Sequence, residues 1–472
     1  MKKRIVSITL LLVMLFAFSS CVISDEKYDY NMEKYITLPS YDGYKITLEL
    51  DSIQAAVDSH IMERATEYVV KKGDDIYINV TAYDVIYTEG QNGTLVDQKS
   101  KEPVDILKEE NMLLSNVGAG VYAQKIELSI IGTKIGEKTS LKTVLPDNFK
   151  VEEYRGKEVY VDVTVKTRKC VEGDVVVTNY TGYYLDDEGN KIVDTEKSTA
   201  DKTVYKTFDK AEGAKFFLGA HLAIDDFEEG IVGMMVGETK SFKATFPEDY
   251  SNEDLKGKTV EFELTLKGLY AAPIYNDDYV KTYFPNYKTT KEYEDSLRES
   301  YILDEIYQYI VKNSKVIKYP RAELKTAKKD LKDIEKSFVE EYGVELDAYI
   351  EAYFGMTRQE YIESNLKSEM VYYAIRQKEN VKPTAEQLLE ETDSLIAYYK
   401  EYFMSNEKLD EKSAKAKATE FVSSLGGSYT YENVLFRLID DLLIEKADVT
   451  EKERTHVSIT EKLAEADKPV TE

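Results

Sequence analysis

The chain has 472 residues, of which 43% are hydrophobic and 32% charged, and a formal net charge of −26 at pH 7. That length and apolar content predict a globular protein of two to four domains, each able to bury its own core. The acidic balance argues against a nucleic-acid partner, because phosphate backbones are bound by basic surfaces. Its ordinary consequence is solubility, and it would also keep unfolded polypeptides from co-precipitating with the protein.

The N-terminal segment is typical of a signal peptide, predicted over residues 1–20. A positively charged start is followed by the apolar run 5–18, whose fourteen residues are too few to span a bilayer. The Ser-Ser-Cys sequence ending at Cys21 resembles the lipobox of bacterial lipoproteins, with Phe18 where that motif usually has Leu. The resemblance implies a lipid on Cys21 and a location at the outer face of the cytoplasmic membrane. The alternative is an ordinary secretory signal with an incidental cysteine.

Residues 21–70 are predicted to form a linker with a short helix. The only other cysteine, Cys170, leaves no internal disulfide if Cys21 is lipidated, and it is predicted to be an inert, partly buried thiol. No further segment is long and apolar enough to span a membrane.

An internal repeat organises the middle of the chain. The stretch 145–166 matches 246–267 with a constant offset of 101 residues, and shorter matches upstream keep the same offset. The repeat predicts two adjacent domains of about 100 residues, 71–169 and 170–268.

Each copy is predicted to be rich in β-structure. Apolar residues alternate with period two over 159–165 and 260–266, as in half-buried antiparallel strands. Another strand is predicted over 175–184, and one short helix near 223–234. The expected architecture is α+β: a small antiparallel sheet wrapped on a short helix, in two tandem copies, followed by an all-helical domain.

Helical signals dominate residues 269–455. Thr289, Thr357 and Thr384 each stand three residues before Glu or Gln, a spacing typical of a capping box. Apolar residues recur at three-four spacing along this region, which favours helix–helix packing, although part of that surface could stay exposed for binding clients. Residues 456–472 are polar and acidic, and disorder is predicted there.

Catalytic constellations of the usual kinds are missing. The histidines His60, His221 and His456 are too scattered to predict a metal site or a catalytic triad. No glycine-rich loop has the strand-then-helix context of a nucleotide site. The sequence therefore predicts neither a metal nor a cofactor.

The second copy carries a set of ordered motifs. Tyr-Thr-Gly (180–182), Phe-Glu-x-Gly (227–230), Gly-x-x-x-Gly-Glu (233–238) and Phe-Pro-x-x-Tyr (246–250) follow one another along nearly 100 residues. This segment resembles an FKBP-type peptidyl-prolyl isomerase, in the version found in trigger factor. Residues 316–331 and 432–453 also resemble the helical domain of that chaperone, more loosely. Its ribosome-binding domain has no counterpart here, so no ribosome partner is expected.

The resemblance implies a proline pocket. Its residues would be Tyr180 and Asp194 on the strand side, Phe216 as a wall, Ile224 as a backbone N–H donor, Phe227 as the floor, Tyr250 at the edge and Phe262 on the last strand. Rotation about an X–Pro bond passes through a twisted, less dipolar state, which an apolar pocket favours without any nucleophile. The alternative is that these aromatic residues only fill a core.

The first copy lacks most of these residues. At the repeat offset, Ile126 stands for Phe227, and Phe149 stands for Tyr250. We therefore expect the fold with little or no isomerase activity there.

The leading hypothesis is an isomerase and chaperone for unfolded or nascent exported polypeptides that contain X-Pro bonds. The main alternative is a non-catalytic holdase that uses the two copies as scaffolds. A third is an adhesion or solute-binding lipoprotein with a borrowed fold.

Overall fold

The computed structural model describes residues 28, 30–89, 94–199 and 201–467, so the predictions for the signal segment and Cys21 lie outside the described residues. The chain forms two compact units. The first combines the residues up to Leu48 with Asp295–Lys452, and the second combines Glu49–Glu294 with the residues from Glu453 onwards. Helices fill most of the first unit and two sheets most of the second, which confirms the predicted α+β class.

The strands of the described residues are, in chain order, β1 (Ile36–Thr37), β2 (Tyr44–Glu49), β3 (Thr66–Glu67), β4 (Ile76–Glu89), β5 (Leu95–Lys99), β6 (Glu109–Leu114), β7 (Lys138–Val144), β8 (Glu158–Thr167), β9 (Asp174–Tyr184), β10 (Thr207–Phe217), β11 (Thr239–Thr245), β12 (Thr259–Ala271), β13 (Lys315–Val316) and β14 (Ala447–Lys452). The α-helices are α1 (Leu50–Arg64), α2 (Gln124–Ser129), α3 (Asp225–Ile231), α4 (Asp277–Tyr283), α5 (Thr290–Asn313), α6 (Arg321–Tyr342), α7 (Leu346–Phe354), α8 (Arg358–Glu379), α9 (Ala385–Asn406), α10 (Glu411–Leu425), α11 (Gly427–Lys446) and α12 (Ile459–Ala466). None of these helices is long and apolar enough to cross a membrane.

The first unit is built on helices α5 to α11. Its main core joins α5, α8 and α11 through buried Ile306, Met370 and Ile439, among others. The capping boxes of Thr357 and Thr384 are both formed, since each hydroxyl accepts from the N3 backbone and each N3 side chain accepts in return. These caps fix where α8 and α9 begin.

Residues 28–48 differ from the predicted linker. Tyr28, Met32 and Ile36 are buried in the core of the first unit, and the Tyr28 hydroxyl donates to Glu369 at 2.9 Å. Strands β1 and β2 pair with β13 and β14 respectively. Strands this short show no clear alternation of apolar residues in the sequence. Their pairing depends on strands that are far away along the chain.

The second unit contains two five-stranded antiparallel sheets of the same design. One has the order β5-β4-β8-β7 with β6 also pairing β4, and the other has the order β10-β9-β12-β11 with β3 also pairing β12. Helix α2 and helix α3 occupy equivalent places before β7 and β11. In the second sheet β10 pairs along most of β9, with an irregular register between Ala211 and Ala214, and so replaces the separate strands β5 and β6. The repeat seen in the sequence is thus a repeat of structure.

Alternating burial explains the long strands. In β12 the inward residues Val260, Phe262, Leu264 and Leu266 are buried while their neighbours are more exposed. In β8 the valines at every second position from Val159 to Val165 are buried too, although Asp162 between them is also buried. A strand with one buried face has its register fixed, because a one-residue slip would expose every apolar side chain. Each predicted strand is present in the structure.

The C-terminal segment forms a helix where disorder was predicted. Ser458 caps α12 by accepting from the Glu461 N–H, in a Ser-x-x-Glu sequence. Ile459 is buried, and Gln54 of α1 donates to both Asp58 and Thr460 at 2.9 and 3.0 Å. Burial raises the pKa of Asp58 to about 7. The acidic composition of the segment predicted disorder, but its contacts with α1 stabilise a short helix.

We expect Ile459→Ala to destabilise the second unit by about 2–3 kcal/mol, because a buried side chain would leave a cavity. Ile459 is 3% exposed, and the nearby Val457, at 65% exposure, gives a matched control. Val457→Ala should change stability by less than about 0.5 kcal/mol. Thermal unfolding of the full chain measures both. Equal effects of the two variants would mean that the helix is not docked.

Candidate active site on the second sheet

Strands β9 and β12 lie side by side and place aromatic rings on one face of the sheet. Tyr180 pairs with Leu264, and Gly182 pairs with Phe262, in the antiparallel register. Because alternate residues of a strand share a face, the side chains of Tyr180 and Phe262 point to the same side. Helix α3 packs on that side and brings Phe227 to the same place.

Four rings form what we call the aromatic cluster: Tyr180, Phe216, Phe227 and Phe262. The Phe227 ring centroid lies 5.5 Å from that of Tyr180, 4.8 Å from that of Phe216 and 4.6 Å from that of Phe262. Phe227 and Phe262 are buried, whereas Tyr180 and Phe216 are half-buried. The structure therefore brings together four residues predicted from sequence, with the ring of Phe227 in contact with each of the other three.

The loop before α3 is held by one buried acid. The carboxylate of Glu228 accepts hydrogen bonds from three loop N–H groups: Gly219 at 2.8 Å, His221 at 3.3 Å and Ala223 at 3.0 Å. Burial raises the pKa of Glu228, although the three donors favour its ionised form. The loop cannot move without breaking these bonds.

Ile224 follows this loop and caps α3. Its carbonyl accepts from the N–H of Phe227 at 2.9 Å, while its own N–H has no acceptor among the residues that the structure describes. A backbone donor of fixed direction thus stands one helical turn from the ring of Phe227. That arrangement fits the donor role predicted for Ile224.

At two positions of the motifs, a neighbouring aromatic ring lies so close to the backbone that only glycine fits. A Cβ atom on Gly182 would overlap the ring of Phe208, and one on Gly230 would overlap the ring of Phe242. Phe208 and Phe242 lie 5.6 and 6.0 Å from Phe262, measured between ring centroids. They extend the aromatic cluster beyond the residues predicted from sequence.

Tyr250 lies at the edge of this region. Its ring packs on Phe246 with a centroid distance of 4.6 Å, and Phe246 contacts Phe208 at 5.8 Å. Tyr250 is half-buried, and its charge interaction with Tyr180 adds to the rise in the pKa of Tyr180 that burial causes. The predicted edge position is consistent with this geometry.

Asp194 differs from its predicted place. Its carboxylate accepts from the N–H groups of Glu196 and Lys197, within its own loop. The acid that accepts from the Tyr180 hydroxyl, at 2.7 Å, is Asp209 on β10. The long insertion between β9 and β10 moves Asp194 out of alignment, and a register irregularity near Asp209 gave no signal in the sequence.

The first sheet has the same hydrogen bonds between a buried carboxylate and the loop before its helix, but not the four rings of the aromatic cluster. Glu127 accepts from the N–H groups of Gly118, Gly120 and Tyr122 at 3.0, 2.7 and 2.7 Å, the same pattern at the same offset. Ile126 occupies the position of Phe227 and is buried in a core of mostly aliphatic residues that also holds Phe149 and Tyr154. The scaffold is shared, and the aromatic cluster belongs to the second sheet.

Cys170 has no features of a reactive thiol. It is fully buried, its Sγ donates to the carbonyl of Ile231 at 3.1 Å, and burial raises its pKa. This agrees with the predicted inert cysteine.

Comparison with known proteins matches residues 166–267 to the family FKBP-type peptidyl-prolyl cis-trans isomerase. The trigger factor of Leptospira interrogans serogroup Icterohaemorrhagiae serovar copenhageni (strain Fiocruz L1-130) is 24% identical over 425 residues, which cover 78% of this chain and 91% of that protein. The trigger factor of Aromatoleum aromaticum (strain DSM 19018 / LMG 30748 / EbN1) is 52% identical over 65 residues, which cover 14% of this chain and 15% of that protein. Among solved structures, one described as "Promiscuous Substrate Recognition in Folding and Assembly Activities of the Trigger Factor Chaperone" is 14% identical with a TM-score of 0.20, covering 65% of this chain and 78% of that one.

The chain therefore contains an FKBP-type peptidyl-prolyl isomerase domain and is an enzyme of that class. Over most of its length it is similar to trigger factor.

We expect Glu228→Gln to lower isomerase activity by about tenfold or more, because a displaced loop misplaces the groups it carries. The amide offers one acceptor oxygen in place of two, and the lost bonds should also cost about 1–3 kcal/mol. The matched control is Glu127→Gln, which removes the same bonds in the first sheet. It should reduce stability to a similar degree and leave activity unchanged, as measured on a proline tetrapeptide and by thermal unfolding. Equal activity losses in both variants would contradict a specific role for this loop.

Proposed function

We propose that this protein catalyses prolyl isomerisation in exported polypeptides and assists their folding at the outer face of the cytoplasmic membrane. The observation that carries the catalytic part is the aromatic cluster beside the Ile224 N–H. The export part rests on the N-terminal sequence, and the chaperone part on the similarity to trigger factor.

The chemistry requires only shape and polarity. The barrier to rotation of an X–Pro bond is roughly 20 kcal/mol, because rotation breaks the amide resonance. The twisted state is less dipolar than the planar amide, so a ring-lined pocket with little water favours it. Phe227 forms the floor of such a pocket, with Phe216 and Tyr180 as its walls.

A single donor then holds the substrate chain. The Ile224 N–H is directed by the cap of α3 and would donate to the carbonyl next to the proline. The Tyr180 hydroxyl is already engaged with Asp209, and this bond fixes the orientation of the ring. Tyr250 and Phe262 complete the edge and the back of the pocket. Asp194 is left out of this proposal, since its bonds lie within its own loop.

The first sheet acts as a second FKBP-like domain without isomerase activity. Strand order, the helix position and the Glu127 anchor all support a shared fold. Its pocket position is filled by Ile126, an aliphatic side chain, which leaves no aromatic floor. It would serve as a spacer or a contact surface for unfolded chains.

Exposed apolar side chains in the first unit support client binding. Tyr398 and Tyr402, one turn apart on the same face of α9, are 58% and 48% exposed. Neighbouring exposed apolar side chains of this kind suit an interaction surface. This surface does not depend on the isomerase pocket, so holding unfolded chains would be a second activity of the protein beside catalysis.

We expect Phe227→Ala to reduce isomerase activity by about tenfold or more, because the pocket loses its floor. The control Ile126→Ala creates a cavity at the equivalent position of the first sheet and should leave activity intact. Each variant should cost about 2–5 kcal/mol of stability. If the alanine variant unfolds, Phe227→Leu keeps the site apolar and tests the ring alone.

The same variants separate the two functions. Suppression of aggregation of a proline-free client should persist in full-length Phe227→Ala. Isomerase rates that are unchanged by both substitutions of Phe227 would rule out the proposed pocket as the site of catalysis.

The proposed lipid anchor can be tested by mass spectrometry of the mature protein from its bacterial host. We expect a diacylglyceryl group on an N-terminal Cys21. Cys21→Ala should abolish this modification and release the processed protein from the membrane fraction. Cys170→Ala, which changes the only other cysteine, should have no effect. An unmodified Cys21, or cleavage at another site, would exclude the lipid anchor.

A further inference from the structure

Two histidines that are far apart in sequence meet in the second unit. The rings of His221 and His456 stack with centroids 3.6 Å apart and planes inclined by 17°. The Nδ1 atom of His221 also lies 2.6 Å from a carboxylate oxygen of Asp225. The sequence predicted histidines too scattered for a metal site, and this pair corrects that expectation, because the C-terminal segment packs against the loop before α3.

We propose that His221, His456 and Asp225 bind one divalent transition-metal ion of the zinc type. One ligand atom from each residue lies within 4.8 Å of those of the other two. In a tetrahedral site with metal–nitrogen distances of about 2.0–2.1 Å, ligand atoms stand about 3.4 Å apart. All three side chains are exposed, so small rotations of their rings and carboxylate close that gap. Water would supply the fourth ligand.

The donor set selects the class of metal. Two imidazoles and one carboxylate suit Zn²⁺, Ni²⁺, Co²⁺ or Cu²⁺. Calcium prefers six to eight oxygen ligands, and magnesium prefers an octahedron of oxygen atoms that includes several waters. Scattered surface carboxylates of this acidic chain would attract those ions weakly, whereas the histidine pair gives the site its selectivity.

The backbone at His221 supports a role for its side chain. His221 adopts the left-handed conformation with φ of 54°. The equivalent position in the first sheet is Gly120, with φ of 81°, and its N–H donates to Glu127 as that of His221 does to Glu228. Glycine adopts this conformation freely, whereas a residue with a Cβ is strained there. The second sheet thus places an imidazole where the shared scaffold needs only a glycine.

An ion at this site would join the C-terminal segment to the loop that carries Ile224. His456 follows Thr455, whose N–H and hydroxyl both bind Asp51, and precedes the cap of α12. His221, His456 and Ile224 line the same cavity of the second unit. Metal binding would therefore stabilise the docked segment and restrict the loop beside the isomerase pocket.

The test uses the full chain without a histidine tag, after removal of metals by a chelator, in a buffer with millimolar Mg²⁺ to occupy weak carboxylate sites. Calorimetric titration with Zn²⁺ should give one ion per chain, and Co²⁺ should give the visible absorption bands of a nitrogen-ligated site. His456→Ala and His221→Gly should each weaken binding about tenfold or more. His221→Gly also keeps the loop, since it restores the residue that suits the backbone.

The control His60→Ala removes the third histidine, which contacts Tyr279 instead, and should bind Zn²⁺ as the wild type does. Zinc should raise the unfolding temperature of the wild type and of this control, and not that of the two site variants. The proposal is wrong if Zn²⁺ does not bind with a stoichiometry of one, if both site variants bind as tightly as the wild type, or if His60→Ala loses binding equally.

Discussion

The carboxylate of Glu228 accepts hydrogen bonds from three backbone N–H groups of one loop, and the geometry of the candidate active site depends on that contact. The loop leads directly into Ile224, whose N–H we propose as the donor to substrate, and Glu228 itself lies next to Phe227. One buried acid therefore sets the distance between the donor and the aromatic floor. A hydrogen bond to a charged acceptor contributes about 1.5–3 kcal/mol, so three of them keep the loop rigid despite the burial of the carboxylate.

The same anchor, formed by Glu127, occurs in the first sheet, where no aromatic cluster is present. This comparison within one chain separates the scaffold from the site. Strand order, helix and the loop bound by the buried glutamate belong to the scaffold, and an aliphatic side chain, Ile126, stands where the second sheet has the ring of Phe227. Catalysis by shape and polarity needs no nucleophile, so the proposed difference between the two sheets lies in apolar residues alone.

The rings around the aromatic cluster pack closely against the backbone of the sheet and of α3. Gly182 and Gly230 allow Phe208 and Phe242 to lie directly over the backbone, and these rings contact Phe262. Aromatic pairs with centroids 4.5–7 Å apart contribute about 0.5–1.5 kcal/mol each beyond the area they bury. Phe227 and Phe262 belong to a packed aromatic core, and the proposed pocket would be the surface of that core. The two interpretations of these rings, as core and as site, are therefore compatible.

The sequence by itself determined the features that depend on local period and motif. Alternation predicted β8, β9 and β12, and threonine caps predicted the starts of α8 and α9. The family resemblance that the ordered motifs carry implied Tyr180, Phe216, Phe227 and Phe262 as neighbours. Only the tertiary structure decided which distant segments meet. It bonded Asp194 within its own loop and Asp209 to Tyr180, placed Tyr28, Met32 and Ile36 in the helical core, and stacked His456 on His221. Local patterns report which face of an element is buried, whereas these contacts depend on loop length and on chain segments that come together only when the whole unit folds.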